Sequence, residues 1–474
     1  MPITSFTESG PNRLWRQPLI LSALILVYGL ACLIVTPPFQ APDAGAHWYR
    51  AFQIAQGHFI AEKRGTQTGG ELPAAPELDL RHFFDLPSHE ELKLTRQTFH
   101  ERAAPSLRLT PAQLNATSFV QFSNTARFSP VPYIPQAAAI LVCELFQRTD
   151  IAALYLGALF SLFFSSACLL LAFRALDFSF RATWVTFVVA GLPMSSFLLA
   201  SISADGPTIA LCILDIALAL RLRHAPTSKL FAGFLACTLF VSTARGLYFL
   251  VPLMALPLFV PVATLRTRQG LRLAAFTLGC ALVPIAVWTF LTRNIYSIMN
   301  PAPNIDSAMQ VQFMLHHLPA VLAMFAREMV SQFPNNAESF VGMLGWLEVK
   351  LPRRVLWMGY LLVALTPVFS SEENRRDEAL GPVFRAVAPA LFLTFTTLVC
   401  TFSYLTWVPV GANYVDGIQG RYFLPLAVPL LLALPPAIYL RQAGRRIFSA
   451  LVLLAWVGMS ANTIWILAHR YWAL

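Results

Sequence analysis

The chain has 474 residues, of which 56% are apolar and only 12% are charged. A soluble domain carries about 25% charged residues, so a soluble fold of this length would lack the polar surface to cover its apolar side chains. The composition predicts a polytopic membrane protein and excludes a disordered chain, a coiled coil and a secreted disulfide scaffold. The net charge of +10 comes with arginines that stand singly between apolar runs, which indicates cytoplasmic loops rather than nucleic-acid binding.

Eleven apolar segments predict transmembrane helices, since about 20 apolar residues are needed to cross a bilayer. In chain order they are 18–36, 151–173, 182–200, 207–220, 230–244, 247–263, 273–291, 355–369, 386–405, 422–439 and 447–467. The first segment follows two arginines and has no small-x-small cleavage site, which indicates a retained signal anchor rather than a signal peptide. The predicted fold is therefore an all-α polytopic membrane protein with about eleven transmembrane helices.

Residues 131–146 form one more apolar segment, which is short and contains two prolines and Glu144. It is either a twelfth span or a re-entrant piece on the outer face. If it does not cross, the arginine-bearing loops between the later spans lie in the cytoplasm, as the positive-inside rule requires. We therefore expect a non-crossing segment and a cytoplasmic N-terminus. The arginines of these loops are Arg174, Arg181, Arg221, Arg223, Arg266, Arg268, Arg272, Arg375, Arg376, Arg385, Arg441, Arg445 and Arg446.

This topology divides the chain into five parts. They are an N-terminal tail with the first span (1–36), an extracytoplasmic loop with an interfacial helix and the re-entrant segment (37–150), spans two to seven (151–292), a second extracytoplasmic loop (293–354) and spans eight to eleven (355–474). Both loops are too long for simple connectors. Long loops on one face of a bundle predict recognition or chemistry on that face.

The first loop opens with a predicted interfacial helix that has a polar face. Asp43, His47 and Arg50 are spaced i, i+4 and i+7, so they share one face, while Trp48 and Phe52 lie on the apolar face. An acid, a titratable ring and a guanidinium would then point the same way, just above the membrane. The simpler interpretation is that Asp43 caps the helix and Arg50 reaches lipid head groups. The spacing alone leaves both interpretations open.

Two further polar positions stand at the predicted outer ends of spans. Asp205 precedes Gly-Pro at the end of the third span, where it either caps the next helix or joins a site. Arg421 follows Gln419 and precedes Tyr422 at the start of the tenth span. A guanidinium there can grip a lipid phosphate through a bidentate fork, or anchor the helix to head groups. The glycines around Gln419 favour a dedicated site.

Arg245 and Glu348 complete the predicted outer cluster. Arg245 lies between two spans, and Glu348 is the one acid of an aromatic and glycine-rich segment of the second loop, which is also typical of an interfacial tryptophan belt. All seven cysteines lie inside apolar runs, so neither a zinc site nor a disulfide framework is predicted. No cofactor is predicted, and a role for a divalent metal stays open.

Five segments carry a resemblance to a known family. They are PPFQAPDAGAHWYRAFQIAQG (37–57), FSPVPYIPQ (128–136), LPMSSFLLASISADG (192–206), FVGMLGWLEVKLP (340–352) and GIQGRYFLPL (417–426). Together they resemble an uncharacterised family of bacterial multi-span membrane proteins, filed as a domain of unknown function, which looks similar to the GT-C glycosyltransferases. The resemblance extends over most of the chain. Family members commonly show Asp-Glu where this chain has Asp43-Ala44, which leaves Asp43 as the sole acid there.

The GT-C resemblance implies an inverting transfer of a sugar from a polyprenyl-phosphate donor to an envelope glycan or lipid acceptor, at the outer face of the bacterial plasma membrane. Such enzymes carry a catalytic acid just after the first span, the position of Asp43, which would be the general base. The leaving phosphate is anionic, so it needs cations rather than an acid. The residues expected to bind the donor phosphate or substrate are Arg421, Arg245, His47, Arg50, Asp205, Gln419, Tyr422 and Glu348.

A multi-span transporter or a flippase for lipid-linked saccharides is the alternative function, because eleven spans suit either class. Transporters place polar residues at mid-membrane in broken helices, often in repeated halves. Here Asp215 is the main acid within a span, and no halves repeat. The strongest polar clusters instead stand at span ends, which favours the enzyme. A structural or assembly subunit is the third class.

Overall fold

The computed structural model describes residues 16–73, 80–107, 116–146, 151–295, 304–373, 375 and 380–473, and these residues are mostly helical. The predicted N-terminal tail, with Arg13, and Arg376 lie outside them. The helices are α1 (Arg16–Val35), α2 (Ala44–Ala55), α3 (Arg96–Leu107), α4 (Ile134–Leu145), α5 (Ile151–Ala175), α6 (Phe180–Ala190), α7 (Pro193–Leu199), α8 (Asp205–His224), α9 (Ser228–Ala244), α10 (Leu250–Phe259), α11 (Arg268–Leu291), α12 (Ser307–His316), α13 (Leu318–Ser331), α14 (Phe333–Gly342), α15 (Arg353–Leu365), α16 (Pro382–Thr406), α17 (Leu424–Ala433) and α18 (Gln442–Tyr471).

Five of these helices are long and apolar enough to cross a membrane: α1, α5, α11, α16 and α18. A sixth span results if α6 and α7 are counted together, although they are bent by 70° at a break before Pro193. The sequence predicted eleven spans, including a single span over 182–200. Of the remaining segments, 207–220 lies within α8, which has 20 residues but carries Asp205, Asp215, Arg221 and Arg223. The other segments form shorter helices, two of which contain an interior proline, Pro257 and Pro429. Proline removes a backbone donor and clashes with the preceding turn, which limits helix length there.

In the described part of the chain, three small sheets accompany the helices. In the first loop β1 (Glu62–Arg64), β2 (Gln67–Pro73) and β3 (Thr117–Gln121) form an antiparallel sheet, in which Gly69 is opposite Gln121. A Cβ atom at Gly69 would lie 1.8 Å from the Val120 carbonyl oxygen, so the close pairing of β2 with β3 requires glycine. β4 (Met343–Leu344) pairs with β5 (Val349–Lys350) antiparallel, and β6 (Phe369–Ser371) pairs with β7 (Ile438–Leu440) in parallel.

The buried core is centred on α8, which packs against α5, α9, α10 and α17. The predicted interfacial helix α2 is part of this core rather than an exposed surface helix. Its apolar residues Trp48 and Phe52 are fully buried, and so are His47 and Arg50 on its polar face. The reason is that α4 and β2 both pack against α2, so the first loop covers the helix on both sides.

The segment 131–146 begins and ends at the same end of the bundle. Its 3-10 turn (Val131–Tyr133) leads into α4, and the Tyr133 hydroxyl contacts His47. The next helix, α5, starts beside the end of α1, where the Tyr155 hydroxyl donates to the Thr36 carbonyl oxygen at 3.4 Å. Since α1 ends just before Asp43, both contacts lie at what we call the Asp43 end of the bundle.

The opposite end, which we call the arginine end, collects the predicted cytoplasmic arginines. α8 begins beside Asp43 and ends near Arg221, which pairs with Asp177 at 2.9 Å. Beside the β6–β7 pair, Arg441 contacts Glu372 at 3.1 Å. The buried Arg181 links two further helices at this end. Its guanidinium donates to the carbonyl oxygens of Pro367, just after α15, and of Leu431, in the last turn of α17. The bundle therefore has two ends of different composition.

Candidate functional site

Four charged side chains meet at the Asp43 end. The Arg421 guanidinium donates to Asp43 Oδ2 at 2.8 Å and to Asp205 Oδ2 at 2.7 Å. Arg245 forms an ion pair with the other oxygen of Asp205. These residues come from four separate places: the loop after α1, the first turn of α8, the residue after α9, and the 3-10 turn (Gly420–Phe423) before α17. Two acids and two arginines thus form one continuous network.

The backbone of Asp43 aims its carboxylate into this network. Asp43 is the N-cap residue of α2, with φ of 59° in the left-handed region, and its side chain makes no capping hydrogen bond. Instead its Oδ1 atom accepts from Asn124 Nδ2 at 2.8 Å, and Oδ2 accepts from Arg421. A left-handed backbone is uncommon for a residue other than glycine, and aspartate tolerates it better than most. Capping therefore does not explain the position of this carboxylate.

The charges around Asp43 keep it ionised. Burial by itself raises the pKa of Asp43, but the Arg421 guanidinium, and to a smaller degree that of Arg245, lower it more, so the pKa lies below its ordinary value. At neutral pH the group is a carboxylate that accepts hydrogen bonds. Its side chain is 37% exposed, so one side of the carboxylate remains open to a ligand.

Arg421 is enclosed by its partners. Its Nε atom donates to Gln419 Oε1 at 2.5 Å, while its two terminal nitrogens contact the two aspartates. Gly420 allows this segment to press on α14, because a Cβ atom there would lie 1.8 Å from the Asn336 carbonyl oxygen. Each nitrogen of the guanidinium therefore has a protein acceptor, which suits a group that holds other side chains in place.

Arg245 faces open space to a greater degree. Its side chain is 14% exposed, and its guanidinium lies 4.8 Å from the Phe128 ring centre and 5.4 Å from the Tyr422 ring centre. Two aromatic faces hold the cation by cation–π attraction. Because Arg245 lines the adjoining cavity, it is better placed than Arg421 to meet an anion.

The cavity next to this network has a volume of about 480 Å³, within the range of small-molecule sites. Asp43, His47 and Arg245 are among its polar lining residues. Its walls are formed by α11, α16 and the 3-10 turn Gly246–Phe249, and they are largely apolar. The apolar wall residues are Leu247, Phe249, Ile285, Trp288, Phe395, Val399, Phe402 and Trp407. A polar end and apolar walls suit an amphipathic ligand.

His47 lies between the network and two hydroxyl groups. Its Nδ1 atom lies 2.7 Å from the Tyr133 hydroxyl, and its Nε2 atom lies 3.5 Å from Ser203 Oγ. Burial lowers the pKa of His47 to about 3, although Asp43 raises it in part. The imidazole is therefore neutral at physiological pH and acts as a hydrogen-bonding group rather than a cation.

Two residues predicted for the site, Arg50 and Glu348, belong neither to the charged network nor to the lining of the cavity. Arg50 is fully buried and donates to the carbonyl oxygens of Phe59, at 2.6 Å, and Phe128, at 2.8 Å. It contacts the site through Phe128, whose ring lies beside Arg245. Glu348 instead contacts Arg470 at 3.2 Å and the Ser88 backbone, so it ties the second loop to the first loop and to α18.

Other site residues were absent from the sequence prediction. Asn124, Phe128, Tyr133 and Ser203 all contact the predicted residues. Phe128 and Tyr133 lie in the FSPVPYIPQ segment and Ser203 in the 192–206 segment, both of which carried the family resemblance. Asn124 stands alone in a polar loop, and only the pairing of β2 with β3 brings that loop to Asp43. No pattern in the sequence marked it.

Within the described ranges, no three His, Cys, Asp or Glu side chains are grouped so as to hold a metal ion. None of the seven cysteines, all of which are described, forms a disulfide bond; six are buried and Cys280 is half-buried.

Comparison with known proteins gives a family and no characterised relative. Residues 26–430 match the family described as "Predicted membrane protein (DUF2142)", which covers well over half of the chain. No curated protein matches the sequence.

Proposed function

The chain belongs to the DUF2142 family of predicted membrane proteins, and from this premise we propose that it is a GT-C-like glycosyltransferase. It would transfer a sugar from a polyprenyl-phosphate donor to a cell-envelope glycan or lipid, with inversion. The observation that carries the proposal is the Asp43 carboxylate, which is ionised, partly open and placed at the polar end of a cavity with apolar walls. A lipid-linked sugar has the same division into polar and apolar parts.

Asp43 would act as the general base. Its carboxylate would accept a hydrogen bond from the acceptor hydroxyl and take the proton as the new bond to the sugar forms and the bond to the donor phosphate breaks. A low pKa is compatible with this role, because the hydroxyl becomes acidic as its oxygen bonds to the sugar carbon. Arg421 and Asn124 would hold the carboxylate in the required orientation.

Arg245 would bind the donor phosphate. The sequence favoured Arg421 for this role, but the donors of Arg421 are directed to Gln419, Asp43 and Asp205. Arg245 lines the cavity beside Asp43 and can stabilise the negative charge on the leaving phosphate. The neutral His47 would donate to or accept from a sugar hydroxyl. Arg421 would then be a positioning residue that keeps Asp43 ionised.

The apolar walls would hold the start of the lipid tail. α4 packs on α2 and α5, whereas these walls belong to α11 and α16. Both helices are candidate spans with many exposed apolar residues, so a tail between them would reach lipid directly.

An eleven-span topology in the bacterial plasma membrane, with a cytoplasmic N-terminus, belongs to the same proposal. It is supported by the separation of the bundle into an Asp43 end and an arginine end, since positive residues collect on the cytoplasmic side. The Asp43 end would then face the cell envelope, where the acceptor lies.

A transporter would use polar residues within the spans, of which Asp215 is the main acid. This residue is fully buried, and its Oδ1 atom accepts from Thr238 Oγ1 at 2.9 Å. The cavity does not extend to it, since its lining residues lie around Asp43. The position of the cavity at one end of the bundle therefore favours the transferase.

The proposal is tested with membranes that contain the full chain and a panel of radiolabelled polyprenyl-phosphate sugars. We expect label to pass into envelope material, and Asp43→Asn to lower the rate by about 10²–10⁴-fold, the usual contribution of a general base. Asn keeps the size of the side chain. The matched control is Asp177→Asn at the arginine end, which should transfer at the wild-type rate. Wild-type transfer by Asp43→Asn would reject Asp43 as base, and lipid-linked sugar that crosses the bilayer without transfer would favour a flippase.

A further inference from the structure

The second outer loop carries a large exposed apolar surface on α12 and α13. Seven large apolar side chains, six from this helix pair and one from the first residue of α14, are between 42% and 77% exposed. They are Met309, Val311, Leu315, Leu318, Leu322, Val330 and Phe333. Contiguous exposed apolar surface of this kind marks an interaction site rather than ordinary protein surface.

The surface of α13 is divided into three faces. Val321, Met324 and Phe325 are buried against the protein. At helical spacing, the exposed residues Leu318, Leu322 and Val330 form a separate apolar face. Arg327 and Ser331 lie on a third, polar and exposed face. A helix with exposed apolar and polar faces side by side is typical of one that lies in the surface plane of a membrane.

The helix pair lies at the end of a candidate span. Ser307 Oγ donates to the Leu405 carbonyl oxygen in the last turn of α16 at 2.7 Å, and the Phe325 and Tyr404 rings are 5.7 Å apart. α16 has 25 residues, which is about 37 Å at 1.5 Å per residue, against about 30 Å for the hydrocarbon core. Its last turn, with Tyr404, and Trp407 directly after the helix therefore reach the interface, where such aromatic residues are enriched.

We propose that α12 and α13 form an interfacial helix pair whose exposed apolar face lies in the surface of the lipid bilayer. Lipid, rather than a second copy or a soluble partner, fits because the helix pair is attached to the end of α16. This helix is a candidate span with exposed apolar residues that include Leu393 and Phe402. On the polar face Arg327 would lie among head groups. The inference depends on the protein being a membrane protein and not on the proposed transferase activity.

This docking would also steady the segment that leads to the site. The backbone nitrogen of Gly411 donates to Gln310 of α12 at 2.9 Å, and Gln332 at the end of α13 donates to the Val415 carbonyl oxygen at 2.8 Å. The same segment continues to Gln419 and Arg421. In this arrangement the helix pair would connect the bilayer surface to the segment that contains Gln419, a residue that lines the cavity.

The test compares neighbouring positions on different faces of α13. Val330→Cys and Leu322→Cys probe the apolar face, and Ser331→Cys is the matched control on the polar face. Each full-length variant carries a nitroxide label and sits in phospholipid nanodiscs, and power saturation measures contact with oxygen, which enters lipid, and with a nickel chelate, which stays in water. Wild type treated with the same label measures the background signal from the native cysteines. This signal should be small, since six of these cysteines are buried.

We expect the ratio of oxygen contact to nickel contact to be several-fold higher at 330 and 322 than at 331. Equal nickel contact at 330 and 331 would show that the apolar face lies in water and would overturn the proposal. Low contact with both reagents at 330 and 322 would show a protein cover, such as a second copy, and would also overturn it. A thermal transition like that of wild type confirms that each labelled variant is folded, and the two apolar positions serve as independent probes.

Discussion

Arginine has opposite roles at the two ends of this bundle. At the Asp43 end the Arg421 side chain is 1% exposed and shared between two carboxylates, whereas at the arginine end the Arg441 side chain is 87% exposed and pairs with one carboxylate of the described residues, that of Glu372. An exposed ion pair contributes about 0–1 kcal/mol, but a buried one leaves an uncompensated charge when one partner is removed. Arg441 therefore makes an exposed surface pair, whereas Arg421 holds together the buried network of the site.

A membrane-topology experiment tests the difference between the ends most directly. Its result is all-or-none, because each reporter fusion lies on one side of the membrane or the other. Reporter fusions after Arg223 and after Arg446 should both be active in the cytoplasm, because both positions lie at the arginine end. A fusion after Gln419 is the control for the opposite side. Two extracytoplasmic results at 223 and 446 would reverse the assigned orientation and place Asp43 on the cytoplasmic face.

The next largest effect is expected from removal of the buried guanidinium. Arg421→Ala leaves Asp43 and Asp205 without their shared partner, so the free energy of unfolding should fall by about 3–5 kcal/mol. Arg441→Ala should change it by about 0–1 kcal/mol. Denaturant titration in detergent measures both. Arg421→Lys should recover only part of the loss, since lysine lacks the planar fork that spans two carboxylates. Equal effects of the two alanine substitutions would remove the distinction between the ends.

The free energy of unfolding is expected to depend on pH through His47. Because the pKa of His47 falls to about 3 in the folded protein, against about 6.5 in the unfolded chain, the unfolded state binds the extra proton between these values. Stability should therefore decrease as pH falls below about 6.5, by at most about 1.4 kcal/mol per pH unit. His47→Gln should remove this slope, which thermal unfolding from pH 7 to 4 measures. The exposed His316→Gln should keep it; an unchanged slope in His47→Gln would contradict the assignment.

The smallest effect is expected from Asn124, which orients Asp43 through a single hydrogen bond. Asn124→Ala should lower sugar transfer by roughly two- to tenfold, equivalent to about 0.5–1.5 kcal/mol for one hydrogen bond, because water can reach the partly exposed carboxylate. Gln121→Ala in the neighbouring strand should have no effect. A loss with Asn124→Ala as large as that with Asp43→Asn would mean that Asn124, rather than Asp43, is central to the reaction.

The chemistry-bearing residues were recognisable in the sequence, but their roles were not. Asp43, Asp205, Arg245 and Arg421 were all selected because they stand at predicted span ends. Whether a given arginine meets a phosphate depends on which of its donors already have acceptors. Arg421 has its donors directed to protein groups and Arg245 lines the cavity, and neither property follows from the neighbouring residues.

The sequence by itself determined that this is a helical membrane protein with arginines concentrated at particular helix ends, because apolar content and charge placement are local properties of the chain. Only the tertiary structure decided that Asp43 meets Arg421 across 378 positions of sequence, that the polar helix α2 is buried, and that Asn124 joins the site. These contacts depend on helix packing and on the pairing of β2 with β3, where backbone separations of a few ångströms decide which side chains touch. Sequence spacing carries no such information between distant segments.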